Sequence, residues 1–180
     1  MGGVVVEDAS GNQYGYPFSV GQYIPWFNGG VVYDISNNGA NGYLVSVSGT
    51  TTTWGPFDEI TNAVSENNGM DNMNTIKSLD ADLSDYPAFK WCDDYGFGNW
   101  YLPAKNELQA IYDNRSTINS TLSANGYTTL GMGYYWSSTE DLNLSAYLFD
   151  FNLGNWYKGS YYETDDYKKK SRNVHAVLIF

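Results

Sequence analysis

The spacing of hydrophobic positions changes twice along this chain. Residues 1–60 carry short apolar runs broken by Gly, Asn and Pro, the pattern of strands and turns. Val31-Val32-Tyr33-Asp34 and Tyr43-Leu44-Val45-Ser46-Val47 flank Ser-Asn-Asn-Gly-Ala-Asn-Gly, which predicts a hairpin with positive φ at Gly39 and Gly42. The middle third shifts to helical spacing. Pro87 opens a helix through Ala88, Phe89, Trp91, Cys92 and Tyr95, stopping at Gly96. Pro103 opens a second, with Leu108, Ile111 and Tyr112 on one side and Glu107 near the positive N-terminal end. Ser116 to Ala124, closed by Asn125-Gly126, makes a third.

From Tyr134 the period returns to two. Tyr147, Phe149 and Phe151 occupy alternate positions, so they are expected to face the core while Leu148, Asp150 and Asn152 face out. Val174, Ala176, Leu178 and Phe180 alternate in a last strand. Strands, then helices, then strands predict an α+β domain with its two ends paired. No segment approaches the roughly 18 apolar residues of a membrane span. The opening Met-Gly-Gly-Val-Val-Val lacks the basic region of a signal peptide, so export cannot be read from it.

Charge narrows the partners. The 180 residues hold 20 acids against 9 bases, a formal charge of −11, and no base precedes Lys77. Such a chain repels phosphates, which argues against nucleic acid and membrane insertion as partners. One cysteine, Cys92, excludes a disulfide framework, and one histidine, His175, excludes multi-His zinc sites; no metal or other cofactor is expected. Cys92 sits among helix residues and reads as a core thiol. His175 lies in the last strand, opposite in phase to Val174 and Ala176, and reads as a residue of a surface or binding face. Lys168-Lys169-Lys170 and Arg172, beside Asp165-Asp166, read as locally compensated charge or a mobile loop. Glu7-Asp8 and the residues following read as a turn, lacking calcium-loop spacing. No catalytic residues are expected.

Residues 139–173 are rich in Tyr, Asn, Asp, Ser and Gly, the composition of antibody combining sites. Leu142, Leu144, Leu148 and Leu153, read as outward-facing, strengthen that signal, because exposed apolar residues among polar ones mark interaction surfaces.

Several blocks then resemble a known family. Gly98-Asn99-Trp100-Tyr101-Leu102-Pro103-Ala104-Lys105-Asn106-Glu107-Leu108 is similar to its G-x-W-R/Y-L-P-[ST]-x-x-E-L segment, and Tyr134 to Glu140 to its YYWSSTE. Asn68 to Ile76 resembles D-G-x-x-N-T-x-x-I, Ala146 to Phe151 resembles A-W-x-V-x-F, and Asn173 to Val177 resembles x-V-R-A-V/P-V with His175 in place of Arg. The blocks occur in order. They identify the chain as similar to the Fibrobacter-succinogenes-major-paralogous domains, allied to the formylglycine-generating-enzyme lineage of the C-type lectin fold.

The resemblance implies a C-type lectin fold with mixed or antiparallel sheets, two to three helices and termini close together. Residues 28–180 would form the domain and residues 1–27 a strand-and-turn extension. It also implies a surface adhesin, a phage receptor-binding (tail fibre) protein, or the variable protein of a diversity-generating retroelement, on a bacterial or archaeal cell surface or a virion. In that lineage adenine-directed mutagenesis rewrites residues near the C-terminus. The expected ligand-binding set is Asp141, Leu142, Asn143, Leu144, Leu148, Asp150, Asn152, Leu153, Tyr157, Tyr161, Tyr162, Asp165, Asp166, Tyr167 and His175. The expected partner is a protein or glycan receptor, and oligomerisation is compatible with it. Two departures matter: there are no paired C-terminal cysteines, and none of the Glu-Pro-Asn, Gln-Pro-Asp or Trp-Asn-Asp tripeptides of calcium-dependent lectins. Neither oxidase activity nor calcium-dependent sugar binding is therefore expected, and the function reads as non-enzymatic. The alternative is a structural module of a pilus or fibre.

Overall fold

The computed structural model describes residues 5–7, 13–15, 17–26, 28–36, 39–96, 99–142, 145–157 and 168–180. The β-branched run before Gly39 folds back on the one after it, so β4 (Gly30–Ser36) pairs antiparallel with β5 (Asn41–Thr52). Gly39 takes the expected positive φ, +82°. Gly42 does not belong to the loop. It exchanges backbone hydrogen bonds with Phe180, both 3.0 Å, and a Cβ there would lie 2.3 Å from the Phe180 ring. Close approach, not turn conformation, is what requires glycine at this position.

Five further strands complete a seven-stranded sheet: β3 (Tyr23–Ile24), β6 (Tyr134–Leu142), β7 (Ser145–Asp150), β8 (Asn155–Tyr157) and β9 (Arg172–Ile179). Their order is β3-β4-β5-β9-β6-β7-β8. Neighbours are antiparallel except β6 and β9, which run parallel at Tyr135 and Asn173, so the sheet is mixed. The last strand thus lies in the middle of the sheet, and the Phe180 ring meets that of Phe18 at 4.7 Å. Phe18 and Ile24 are buried in the same core. A separate hairpin pairs β1 (Val5–Glu7) with β2 (Gln13–Gly15).

Among the described residues four helices connect the strands, against the two to three expected. α2 (Pro87–Tyr95) and α4 (Arg115–Ala124) fall where the spacing puts them, and Gly126 follows α4 with φ +77°. α3 (Lys105–Asp113) starts two residues after Pro103, with Ala104 as N-cap. The additional helix is α1 (Gly69–Leu79), capped by the Asn68 side chain, which accepts from the Met70 N–H at 3.0 Å. Its buried face includes Asn72 beside Met73 and Ile76, so a hydrophobic pattern alone understates it. α2 lies over β5 and β9, α4 over β4, and α3 over β4, β6 and β7. Trp54, Trp100, Trp136, Phe89 and Phe149 are fully buried between these layers.

The outward phase expected of β7 is corrected. Every residue of Ser145–Asp150 is buried, including Leu148 and Asp150. β7 has strands on both sides, and Leu148 stands in register between Trp136 of β6 and Tyr157 of β8. The Asp150 carboxylate turns back to accept from the backbone N–H of Asn152 at 2.7 Å and from its side-chain amide at 2.6 Å. Asp150 is therefore buried and shapes the turn after β7.

The segments that carry the family resemblance are largely buried joints. Glu107 accepts from the Ala104 N–H at 2.7 Å, the Gly69 N–H at 3.0 Å and the Tyr101 hydroxyl at 2.8 Å, while burial raises its pKa. Ala104 has no hydroxyl to complete a capping box. Thr139 supplies it from another element, accepting from the Lys105 N–H at 3.0 Å and donating to Ser65 O at 2.8 Å. Asn72 accepts from the Ser65 N–H and donates to Ser65 O and Ser138 Oγ. The Trp54 indole donates to Ser137 O at 2.9 Å.

Glu140 closes this cluster. Its carboxylate accepts from the Thr61 and Asn62 N–H groups and pairs with Lys168 at 2.5 Å. Lys168 is fully buried, also donates to Glu59 O at 2.7 Å, and lies 4.7 Å from the centre of the Trp54 ring. The basic run is thus corrected: Lys168 is a core anchor for the 53–63 segment and is neutralised from 28 residues away. Lys169 lies over Phe57 and Arg172 over Tyr134.

Candidate functional site

β5 carries a bulge between Val45 and Gly49, where its register with β9 shifts. The bulge turns Ser48, Gly49, Thr50 and Thr51 toward the segment that follows α4. Between them lies a cleft of about 500 Å³, within the roughly 300–1,000 Å³ of small-ligand sites.

The opposite wall, residues 126–132, is held at four points. The Tyr127 N–H donates to Leu122 O at 2.9 Å. Asn119 grips Leu130 with both ends of its amide, accepting from the N–H at 2.8 Å and donating to the carbonyl at 3.1 Å. The Tyr135 hydroxyl donates to Gly131 O at 3.0 Å. The Tyr127 hydroxyl meets that of Tyr23 at 2.8 Å. Thr128 and Thr129 are exposed between these pins. Among the described residues, the hydroxyls of Thr50, Thr128 and Thr129 have no protein partner. Asn173 adds an amide beside them, its oxygen accepting from the Thr51 hydroxyl at 3.4 Å.

His175 forms part of the floor. Its Nδ1 lies 3.2 Å from Ser46 O and 3.3 Å from Ser46 Oγ. The Ser46 hydroxyl donates to Ser48 O, so Nδ1 carries the hydrogen and Nε2 is left as an acceptor. Nε2 lies over Gly49, where a Cβ would approach within 2.4 Å. Burial lowers the His175 pKa from 6.5 to about 4, so the ring is neutral at pH 7. The Tyr135 ring, 6.1 Å from that of His175, stacks on Phe151 at 4.0 Å, and burial pushes its hydroxyl up to about 12. The floor is therefore continuous with the aromatic core. No charged side chain lines the cleft among the described residues.

Of the described members of the expected ligand-binding set, His175 alone reaches this cleft. Asn152, Leu153 and Tyr157 are exposed, Leu153 by 71%, on the turn after β7 and on the edge strand β8. Asp141 is half-buried in β6. Leu148 and Asp150 are buried, as described above. Leu142 ends β6 with its side chain outside the described residues, and Asn143, Leu144, Tyr161, Tyr162, Asp165, Asp166 and Tyr167 also lie outside them. Cys92 is a buried free thiol whose pKa burial raises. Sequence reasoning missed Thr50, Thr128, Thr129 and Asn173. A signal for three of them exists: no charged residue occurs between Asp34 and Asp58 or between Arg115 and Glu140, and these two tracts supply most of both walls.

No protein-family model matches the chain, and no curated protein does. Among solved structures it is similar to a fimbrial protein from Bacteroides ovatus ATCC 8483, with a TM-score of 0.61 at 19% identity. The likeness covers 77% of this chain and 36% of that one. The two share a fold. This chain spans about a third of the fimbrial protein's length. Among the described residues, no helix is long and apolar enough to cross a membrane.

Proposed function

We propose that this chain is a non-enzymatic ligand-binding domain of a surface-displayed, fimbria- or adhesin-type protein, built on a C-type-lectin-like framework. The observation that carries this reading is the cleft: a preformed cavity without charged side chains among the described residues, lined by aromatic rings and by hydroxyls that have no partner in the protein. Rigid walls lower the ordering cost of binding, which favours recognition of a ligand from solution or from another surface. The shared fold with a fimbrial protein supports the surface setting. Fluorescently labelled protein should bind intact cells of some bacterial or host type saturably and be displaced by unlabelled protein. Absence of saturable binding across a broad cell panel would refute the proposal.

The same fimbrial likeness favours a second reading, a structural subunit of a fibre. Sedimentation separates the two, since a fibre subunit self-associates with concentration while a displayed binding domain stays monomeric without its ligand. Among the described members of the expected set, a relationship to retroelement-diversified proteins would act through the exposed Asn152, Leu153 and Tyr157. A near-copy of the 3′ coding sequence differing at adenines would support it.

A further inference from the structure

We infer that the cleft between the β5 bulge and residues 126–132 is a metal-independent site for a neutral oligosaccharide. The inference rests on the binding reading above and adds the ligand class and the residues that select it. A neutral sugar presents hydroxyls that both donate and accept, and C–H faces that pack on aromatic rings. The cleft offers both kinds of partner. Thr50, Thr128 and Thr129 provide hydroxyls of either polarity, the Asn173 amide donates, and His175 Nε2 accepts. Tyr127 lines the same cavity, 36% exposed, with its ring held by the Tyr23 hydroxyl. An amphipathic ring of this kind presents an apolar face beside polar neighbours.

Charge excludes the competing ligand classes. An anionic sugar would enter a protein of formal charge −11 and find no Lys or Arg in the described lining. A cation, or a sugar held through calcium, would find no carboxylate there. An ionised ligand would thus lose water without a compensating charge. Peptide recognition commonly relies on an apolar groove for a helix, an aromatic groove for a proline-rich segment, or charged anchors. The described lining holds no charged anchor, its aliphatic members are Val47 and Met132, and its rings, Tyr127, Tyr135 and His175, stand among hydroxyls and one amide. Hydroxyls and one amide on rigid walls fit a polyol better than they fit a peptide.

The test uses the purified chain against immobilised neutral glucans, mannans, galactans and xylans, with sialylated and sulfated oligosaccharides alongside, each with and without EDTA. At least one neutral member should bind about tenfold or more better than any charged one, unchanged by EDTA. Amide shifts on titration of ¹⁵N-labelled protein should concentrate at residues 48–51, 126–132 and 173–175. Filling the cleft by Thr128→Trp with Thr129→Trp should weaken binding about tenfold or more, with an unchanged melting temperature, because both positions are exposed coil. Leu79→Ser, at an exposed site on α1, should leave binding unchanged. Preference for charged sugars, loss in EDTA, or shifts confined to other surfaces would overturn the inference. If no panel member binds, periodate oxidation of target cells decides: lost cell binding supports a saccharide, and retained binding assigns a protein receptor. Binding to no cell at all refutes instead the function on which the inference rests.

Discussion

Lys168→Met tests the anchoring of the 53–63 segment. The buried ammonium has three partners, Glu140 at 2.5 Å, Glu59 O at 2.7 Å and the Trp54 ring at 4.7 Å. Met preserves most of the stem volume, so the packing change is small. What is lost is the charge partner of a buried carboxylate, for which removal of one member costs about 3–5 kcal/mol. Glu140 keeps the Thr61 and Asn62 N–H groups, which continue to stabilise it, so the expected cost is at the low end, about 3 kcal/mol. For a chain of this length that corresponds to a fall in Tm of about 6–12 °C. Glu140→Gln leaves the ammonium with a carbonyl and a ring, and should cost about 4 kcal/mol. The double variant should lose less than the sum of the singles by about 1–3 kcal/mol. Calorimetry with denaturant titration measures all three. A Lys168→Met cost below about 1 kcal/mol, or additive singles, would refute the buried-anchor account.

Other predictions follow from the same geometry. Leu148→Ala should cost about 2–4 kcal/mol as a core truncation, whereas Leu153→Ala on the exposed turn should change stability by less than about 0.5 kcal/mol; thermal melts compare them. Gly69→Ala puts a Cβ 2.3 Å from Leu102 O and 2.8 Å from Ala104 N, backbone on both counts. It should destabilise by about 1–3 kcal/mol by urea titration. His175 gives a pH signature. Its folded pKa, about 4, lies below the ordinary 6.5, so the unfolded chain takes up the proton first as pH falls. Stability is therefore lost between about pH 6.5 and 4. Glu107, raised by burial, acts in the opposite direction, so the difference between wild type and His175→Asn isolates the histidine. That difference should shrink as pH falls through this window.

Much of the framework was legible because local rules and tertiary packing agreed. The β4–β5 hairpin, α2, α4 and the last strand follow from β-branched runs, Pro87, Gly126 and period-two spacing. Besides Gly42, three readings failed for physical reasons. Alternation in β7 assumed one solvated face, but Leu148 stands between Trp136 and Tyr157 of the neighbouring strands, Asp150 folds back onto Asn152, and both are buried. Lys168 resembled its exposed neighbours because a sequence does not show a carboxylate 28 residues away. α1 was understated because Asn72, a polar residue, is part of its buried face. The candidate site was the least legible part. Its walls come from segments far apart in sequence, and their shared property is the lack of charge, which stands out less than a cluster of acids or aromatics. Several residues of the motif blocks, Glu107, Thr139 and Glu140 among them, are joints of the framework.

The most direct test of the account compares two variants for binding to the cell type that the labelled protein recognises. In one, Thr128→Trp with Thr129→Trp fills the cleft; in the other, Leu153→Asp alters the exposed turn after β7. The account predicts that the first loses about tenfold or more in affinity while the second stays within about twofold, both with wild-type melting temperatures. Full affinity in the filled-cleft variant, with binding lost in the turn variant, would contradict it.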